Sequence, residues 1–183
     1  MYRSSGEQIF ARVEKIRHRA QRLLQGEGAA APATPDDDAE REAIALAARV
    51  ELRLPDLLST FQLGPLAADV LVCLVAAEFD PFMRTVVRAL QREIGRPWIE
   101  LGTIAELLDL PPSRVPDLGA LFASGGPIRR WSLAAVDDSV DAPVVSTRVK
   151  IATRVAQHLV GDDRLPDGLR RVEPRASLAE SLV

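Results

Sequence analysis

The chain has 183 residues, 47% of them hydrophobic, so it can form one good core and is short for two full domains. Its 23 basic and 26 acidic side chains give a formal net charge of −3, which excludes an overall positive field that would attract nucleic acid or anionic lipid. The single cysteine, Cys73, excludes an intramolecular disulfide and any zinc site built from several cysteines. Its apolar surroundings predict a small core residue.

The longest apolar run, residues 70–77, is far shorter than the roughly 18–20 residues that span a bilayer. The N-terminus also lacks the uninterrupted apolar stretch of a secretion signal. These two features predict a cytoplasmic protein without a membrane partner.

The first predicted element is an amphipathic helix over residues 5–25, because apolar residues recur there at 4-3-4-3 spacing. This stripe consists of Ile9, Val13, Ile16, Ala20 and Leu23. Segment 1–25 is locally basic, with six Arg or Lys side chains against two Glu. The stripe could dock on the rest of the chain, pair with another copy or contact an acidic partner, since two heptads are marginal for an independent coiled coil.

Residues 26–38 are rich in Gly, Ala and Pro and predict a flexible linker. The linker ends in three consecutive aspartates, at 36–38, which complement the dipole at the start of a helix predicted over residues 37–54. Pro55 is expected to follow the end of that helix. A metal role for the aspartates is disfavoured, because no glycine-bearing coordination loop accompanies them.

Two helices are predicted next, separated by Asp80 and Pro81. The segment 64–79 is apolar on nearly every face and should be the central, buried helix. The segment 81–95 is amphipathic and closes at Gly95. Its inward residues are Phe82, Val86, Val87, Leu90 and Ile94, and its outer stripe is Arg84, Arg88 and Arg92.

The remaining elements follow the order of a winged helix. They are a strand at 97–101, a helix at 103–109, a helix at 113–123, a strand at 128–136, a loop at 137–142, a strand at 143–149 and a closing helix at 152–161. Thr103 with Glu106 forms a capping-box pattern for the first of these helices, and Ser113 is the expected cap of the second. The predicted fold class is mainly α: a helical domain at 39–172 with a helix-turn-helix and a small β-hairpin, then a tail or linker at 173–183.

A DNA-binding surface should carry a clear excess of positive charge, and the winged-helix segment of this sequence has little. The would-be recognition helix offers only Arg114, opposed by Asp117, and no Asn, Gln or Lys that could read a base edge. The loop 137–142 carries three aspartates. Residues 111–150 hold five basic and four acidic side chains, a small excess for a footprint that neutralises several phosphates.

Catalytic motifs are also missing from the sequence. No glycine is followed by lysine, so there is no phosphate-binding P-loop, and the two histidines, His18 and His158, lie near opposite ends of the chain. The Gly-Asp-Asp at 161–163 predicts a glycine helix cap and a polar turn. We therefore expect a non-enzyme without a bound cofactor.

Three segments together resemble a known family: FQLGPLAADVLVCLVAAEFDPFMRTVVRALQ, GGPIRRWSLAAV and APVVSTRVKIATRVAQHLVGDDRLPDGL. They are similar to the variant winged-helix domain that lies N-terminal to the ATPase module of certain bacterial AAA+ proteins, including ATPases encoded with phage-tail-like contractile injection systems. The resemblance covers about residues 61–170. Its matching positions are Phe61, Leu63, Pro65, Asp69, Glu78, Asp80, Gly126, Pro127, Ile128, Arg129, Arg130, Trp131, Pro143, Val155, Leu159 and Gly161. Ala67 and Ala68 stand where the family has Glu-Arg.

The resemblance implies an accessory domain beside a hexameric ATPase ring, in contact with a substrate, a partner protein or a neighbouring subunit. ATP and Mg²⁺ would then belong to the ATPase module of a parent protein. The chain would be either a fragment of that longer protein, which we favour, or a stand-alone relative. Two alternatives stay open. One is a DNA-binding winged-helix regulator, and the other is a small self-associating adaptor that uses helix 5–25.

The paired arginines of the GPIRRW motif are the main candidate interaction residues, together with Trp131. Strand alternation predicts Arg130 on one face and Arg129 with Trp131 on the other. We expect one arginine to be partly buried, either stacked near the Trp131 ring or paired to an acid. The candidate acids are Asp69, Glu78 and Asp80.

Overall fold

The computed structural model describes residues 2–26, 43–44, 50–91, 98–138 and 143–164. These ranges are mostly helical and contain a three-stranded antiparallel sheet, which confirms the predicted fold class. The helices are α1 Ser5–Gln25, α2 Arg53–Thr60, α3 Pro65–Phe79, α4 Pro81–Gln91, α5 Leu101–Leu107, α6 Val115–Phe122, α7 Pro127–Arg130 and α8 Thr153–Val160. The strands are β1 Ile99–Glu100, β2 Ala134–Val136 and β3 Arg148–Ile151, and 3-10 turns form at Pro112–Arg114 and Val144–Ser146.

Helix α3 lies at the centre of the core, as its composition predicts. It packs against α1, α4, α5, α6 and β3, and Cys73 on it is fully buried. Burial, together with the negative charge of Asp69, raises the pKa of the Cys73 thiol to about 12, so this cysteine is an inert core residue. The break at Asp80 is confirmed, since Asp80 is extended and its Oδ1 accepts a hydrogen bond of 2.8 Å from the Phe82 N–H at the start of α4.

Helix α1 docks on the rest of the chain through its apolar stripe. Ile9, Val13, Ile16 and Ala20 are buried in the same core as α3, and α1 packs against α3, α4 and α8. Ser4 caps the helix by accepting from the Glu7 N–H, and Gly26 ends it with a φ of 71°. The stripe is therefore covered by this chain's own helices.

The helix-turn-helix consists of α5 and α6, but two of its predicted caps are wrong. Thr103 is buried inside α5, because the helix begins at Leu101, directly after β1. The start is fixed by the sheet, since the Leu101 N–H donates to the Thr147 carbonyl oxygen at 3.0 Å. Ser113 lies in a 3-10 turn, and no side chain caps α6.

The sheet has the order β1-β3-β2, with Ile99 paired to Val149 and Ala134 paired to Ile151. The predicted strand at 128–136 is wrong in its first half, because α7 occupies Pro127–Arg130 and β2 begins only at Ala134. Proline suits the first turn of a helix, and local hydrogen bonds satisfy the backbone there. The other two predicted strands are shorter or shifted: β1 covers Ile99–Glu100 and β3 covers Arg148–Ile151.

Several predictions concern the remaining segments. The predicted end of a helix before Pro55 is wrong, because α2 begins at Arg53 and includes that proline. Residues 43–44 are helical, whereas most of the predicted linker and helix at 26–54 lies outside the described residues. The same holds for residues 92–97, 139–142 and the tail at 173–183. Among the helices that are described, none is long and apolar enough to cross a bilayer.

Gly126 occupies a position where only glycine fits. A Cβ there would meet the backbone carbonyl oxygens of Ala120 and Leu121, the second at 2.5 Å. We expect Gly126→Ala to lower the free energy of unfolding by about 3 kcal/mol, because these backbone atoms cannot move aside without disturbing the end of α6. Urea denaturation would measure the change.

The neighbouring Gly125 provides a matched control, since a Cβ at this position has no atom within 4 Å. Gly125→Ala should alter stability by less than about 1 kcal/mol. Equal effects of the two substitutions would show that the close approach at Gly126 does not exist.

Candidate functional site

Trp131 is the large apolar residue of the GPIRRW segment that lies at the surface, with 46% of the residue exposed. Its ring lies beside Phe61, with the ring centroids 5.3 Å apart and the planes tilted by 46°. The guanidinium carbon of Arg130 lies 5.3 Å from the centre of the Trp131 ring. The predicted stacking of one arginine on Trp131 is thus confirmed, while the predicted strand alternation of these residues is not, because α7 is helical.

Arg129 forms a two-pronged ion pair with Asp138, which lies just beyond β2. Its Nη1 donates to Oδ1 at 3.0 Å and its Nη2 to Oδ2 at 2.6 Å. The Arg129 side chain is one-third exposed and that of Asp138 two-thirds, so the pair joins α7 to the chain just after β2 at a largely solvated site. Such exposed pairs contribute little to stability and mainly fix geometry.

The expectation of a partly buried arginine paired to an acid is confirmed by Arg129, but its partner is Asp138 and the candidate acids Asp69, Glu78 and Asp80 are wrong. Asp69 lies near Arg12 and Asp80 near Arg17, each at 3.9 Å, so both acids face α1. The choice of Asp69 and Asp80 is wrong because α1 docks here and places its own arginines next to these two acids.

Phe61 and Trp131 form one wall of a groove of about 460 Å³. The groove lies between the end of α2, the turn after α7 and the outer face of α8. Its lining residues are Asp56, Leu57, Thr60, Phe61, Trp131, Leu133, Arg154, Val155 and His158. Aromatic and aliphatic groups thus form much of its surface, with charged side chains among the lining.

Arg53 ties the two helical walls of this groove together. Its guanidinium donates to the His158 carbonyl oxygen at 2.9 Å and to the Asp163 carboxylate at 2.6 and 3.1 Å. His158 Nδ1 lies 3.1 Å from the same carboxylate. These bonds join the start of α2 to the end of α8, the two helices that line the groove.

Sequence reasoning found Phe61, Trp131 and Val155 separately through the motif resemblance, but it missed Leu57, Leu133 and Arg154. Leu57 and Phe61 have the i, i+4 spacing of one helix face, which is a signal that could have been used. Leu133 and Arg154 have no such signal. Only the fold brings these segments together.

The helix-turn-helix surface is poor in free positive charge. Arg114, the one cation of its second helix and the preceding turn, has its Nε 2.7 Å from Asp117 Oδ2. The exposed positions of α6 are Pro116, Asp117 and Ala120. On another face, Val144 packs so closely on Gly119 that a Cβ there would lie 2.7 Å from Val144 Cγ1.

The Gly-Asp-Asp segment has the predicted structure. Gly161 caps α8 with a φ of 100°. Asp162 accepts hydrogen bonds from the Arg164 side chain and backbone, which lower the pKa of this carboxyl to about 2. Across the described ranges, no cluster of three or more His, Cys, Asp or Glu side chains could hold a metal ion.

The exposure of Trp131 makes a prediction about stability. We expect Trp131→Ala to cost about 1 kcal/mol, since it removes chiefly a tilted aromatic contact at the surface. Leu133→Ala, two residues away and 2% exposed, should cost about 3 kcal/mol because it leaves a cavity in the core. Urea denaturation of both variants makes the comparison, and equal losses would mean that Trp131 belongs to the core.

Comparison with known proteins gives a single finding. The family model described as "Winged helix domain, variant" matches residues 6–172. Neither the curated proteins nor the solved structures provide a match.

Proposed function

Because this chain belongs to the family of variant winged helix domains, we propose that it is a non-catalytic interaction domain, N-terminal to the ATPase module of a bacterial AAA+ protein. It would contact a substrate, a partner protein or a neighbouring subunit through the groove at Trp131. One observation carries the proposal: a half-exposed tryptophan beside Phe61 at the edge of a cavity of about 460 Å³.

The groove has the character of a protein-binding surface. A tryptophan buries about 150–250 Å² when it is fully covered, so leaving it half in water forgoes much hydrophobic stabilisation. Aromatic and arginine side chains in such pockets dominate the energy of protein interfaces. Winged-helix domains are generally non-catalytic, which agrees with an interaction role for the groove.

The AAA+ part of the proposal rests on the motif resemblance. In that setting the protein acts in the cytoplasm, ATP and Mg²⁺ bind the ATPase module, and this domain sits beside a hexameric ring. The ATPases of contractile injection systems are one group of such proteins. The proposal predicts that the reading frame of the gene continues into a P-loop module, and a continuation of another kind would contradict it.

A DNA-binding role is the second candidate, favoured by one observation: the second helix of the helix-turn-helix has a solvent-exposed face that could enter a groove of DNA. Its charge does not suit a phosphate backbone, because Arg114 is paired with Asp117. The self-associating adaptor has less support, since the stripe of α1 that would pair with another copy is buried in the core.

Photo-crosslinking in cells that produce the native protein tests the proposal. We expect a photoreactive phenylalanine analogue at position 131 to form a crosslink to one defined polypeptide, because this position lines the groove. The same analogue at Phe79 provides the matched control. Phe79 is an aromatic residue 41% exposed at the end of α3, and it does not line the groove.

Equal crosslinking from both positions, or none from position 131, would contradict the proposal. A gel shift with duplex DNA at low salt tests the second candidate. Salt-sensitive binding that disappears in Arg114→Glu would favour the regulator, because each phosphate contact releases counterions.

A further inference from the structure

We propose that the groove at Trp131 binds an acidic, apolar peptide segment of a partner protein. An apolar side chain of that segment would occupy the cavity, and flanking carboxylates would pair with Arg130 and Arg154. This inference rests on the proposed function and names the chemistry of the partner.

The apolar part of the site follows from its walls. Leu57 and Leu133 are buried beneath the cavity, at 6% and 2% exposure, while Trp131 and Phe61 form the more open side. The volume of about 460 Å³ lies in the range of about 300–1,000 Å³ that binding pockets occupy. It suits one large aliphatic or aromatic side chain with its adjoining backbone.

The charge preference follows from which arginines have carboxylate partners. Arg53 and Arg129 are neutralised by Asp163 and Asp138. Arg130 instead lies over the Trp131 ring, and within the described residues no carboxylate pairs with it.

Arg154 is in a similar position at α8. Arg154 donates a hydrogen bond to the backbone carbonyl oxygen of Arg164. Its positive charge also helps to lower the pKa of Asp162, but Asp162 accepts its hydrogen bonds from Arg164. Arg154 therefore lines the apolar cavity, Arg130 lies over the ring of the lining residue Trp131, and both guanidinium groups have hydrogen-bonding capacity that no carboxylate among the described residues uses. A guanidinium satisfies that capacity best with a carboxylate, which it can hold by two parallel bonds.

A peptide suits this arrangement better than a nucleic acid. Asp56 adds a negative charge to the lining, and the Asp163 carboxylate lies beside His158. The chain as a whole carries a net charge of −3. A run of phosphates would meet repulsion from these groups, whereas a peptide can place one or two carboxylates at the arginines only.

The test is selection from a displayed library of random dodecapeptides on the full chain, followed by fluorescence anisotropy with the enriched peptides. We expect enrichment of peptides that combine Asp or Glu with Leu or an aromatic residue. Trp131→Ala should weaken their binding by more than about tenfold, and Arg130→Glu and Arg154→Glu by several-fold each.

Arg88→Glu is the matched control, since Arg88 is an exposed arginine on α4, a helix that contributes no residue to the groove lining, whereas Arg130 lies over the ring of the lining residue Trp131. It should leave the affinity unchanged. Peptides with Lys in place of their acids should bind Arg130→Glu and Arg154→Glu better than they bind the native chain, because the charges are then complementary.

The outcomes separate this inference from the proposal it rests on. One outcome would overturn the charge preference and leave a protein-binding groove. In it, the enriched peptides lack acids, and their affinity falls in Trp131→Ala but not in Arg130→Glu. Absence of any peptide that depends on Trp131 would overturn both. If the chain binds an oligothymidylate and Trp131→Ala abolishes that binding, the groove is a site for single-stranded nucleic acid. Both the proposed function and this inference would then be wrong.

Discussion

The structure depends on one constraint: helix α3 is apolar on nearly every face and must be covered on all sides. Its middle, residues 70–76, is buried at every position, so neighbouring elements must cover this part of the helix on all sides. This requirement explains why α1 lies in the core although the sequence allowed it three possible partners. It also explains why α1 brings Arg12 and Arg17 to within 3.9 Å of Asp69 and Asp80, which lie on and just after α3.

The groove results from the path that the chain takes after α6, where it completes the core. Gly126 passes so close to the α6 backbone that the chain must turn at once into α7. The turn ends at Ser132, whose φ of 53° is left-handed, and the Leu133 N–H then donates to the Ile128 carbonyl oxygen at 2.9 Å. Ile128 and Leu133 therefore point into the core, and Trp131 between them is left at the surface. A short segment thus completes the core and forms a wall of the candidate site.

The long elements could be predicted from the sequence because their periodic patterns exceed two turns. Helix α1 is in this class, whereas α3 and the break at Asp80 could be predicted from composition, as a long apolar run that ends at Asp-Pro. The structure of segment 128–136 could not be predicted in this way. Its polar and apolar residues follow a pattern typical of a strand, and a helix of four residues is too short to show a helical period. The start of α5 is set by pairing with the chain before β3, so the capping pattern at Thr103 is a coincidence.

The candidate site was predictable only in pieces. The motif resemblance identified Phe61, Trp131 and Val155, which are separated by many residues along the chain. Nothing in the spacing indicated that they meet, because that contact depends on the path of α7 and on Arg53, which joins α2 to α8. The charge of the site could not be predicted from the sequence either. Arg129 pairs with Asp138, just beyond β2, whereas Arg130 lies over the Trp131 ring.

The central claim is that Trp131 stands open in the free domain and is covered when a partner peptide binds. Acrylamide quenching of its fluorescence tests this most directly, in a Trp98→Phe background that leaves Trp131 as the only tryptophan. We predict efficient quenching and a red-shifted emission in the free chain, and protection from quenching with a blue shift when a selected acidic, apolar peptide is added. A Trp131 that is already protected in the free chain, or that stays equally quenched with the peptide bound, would contradict the account.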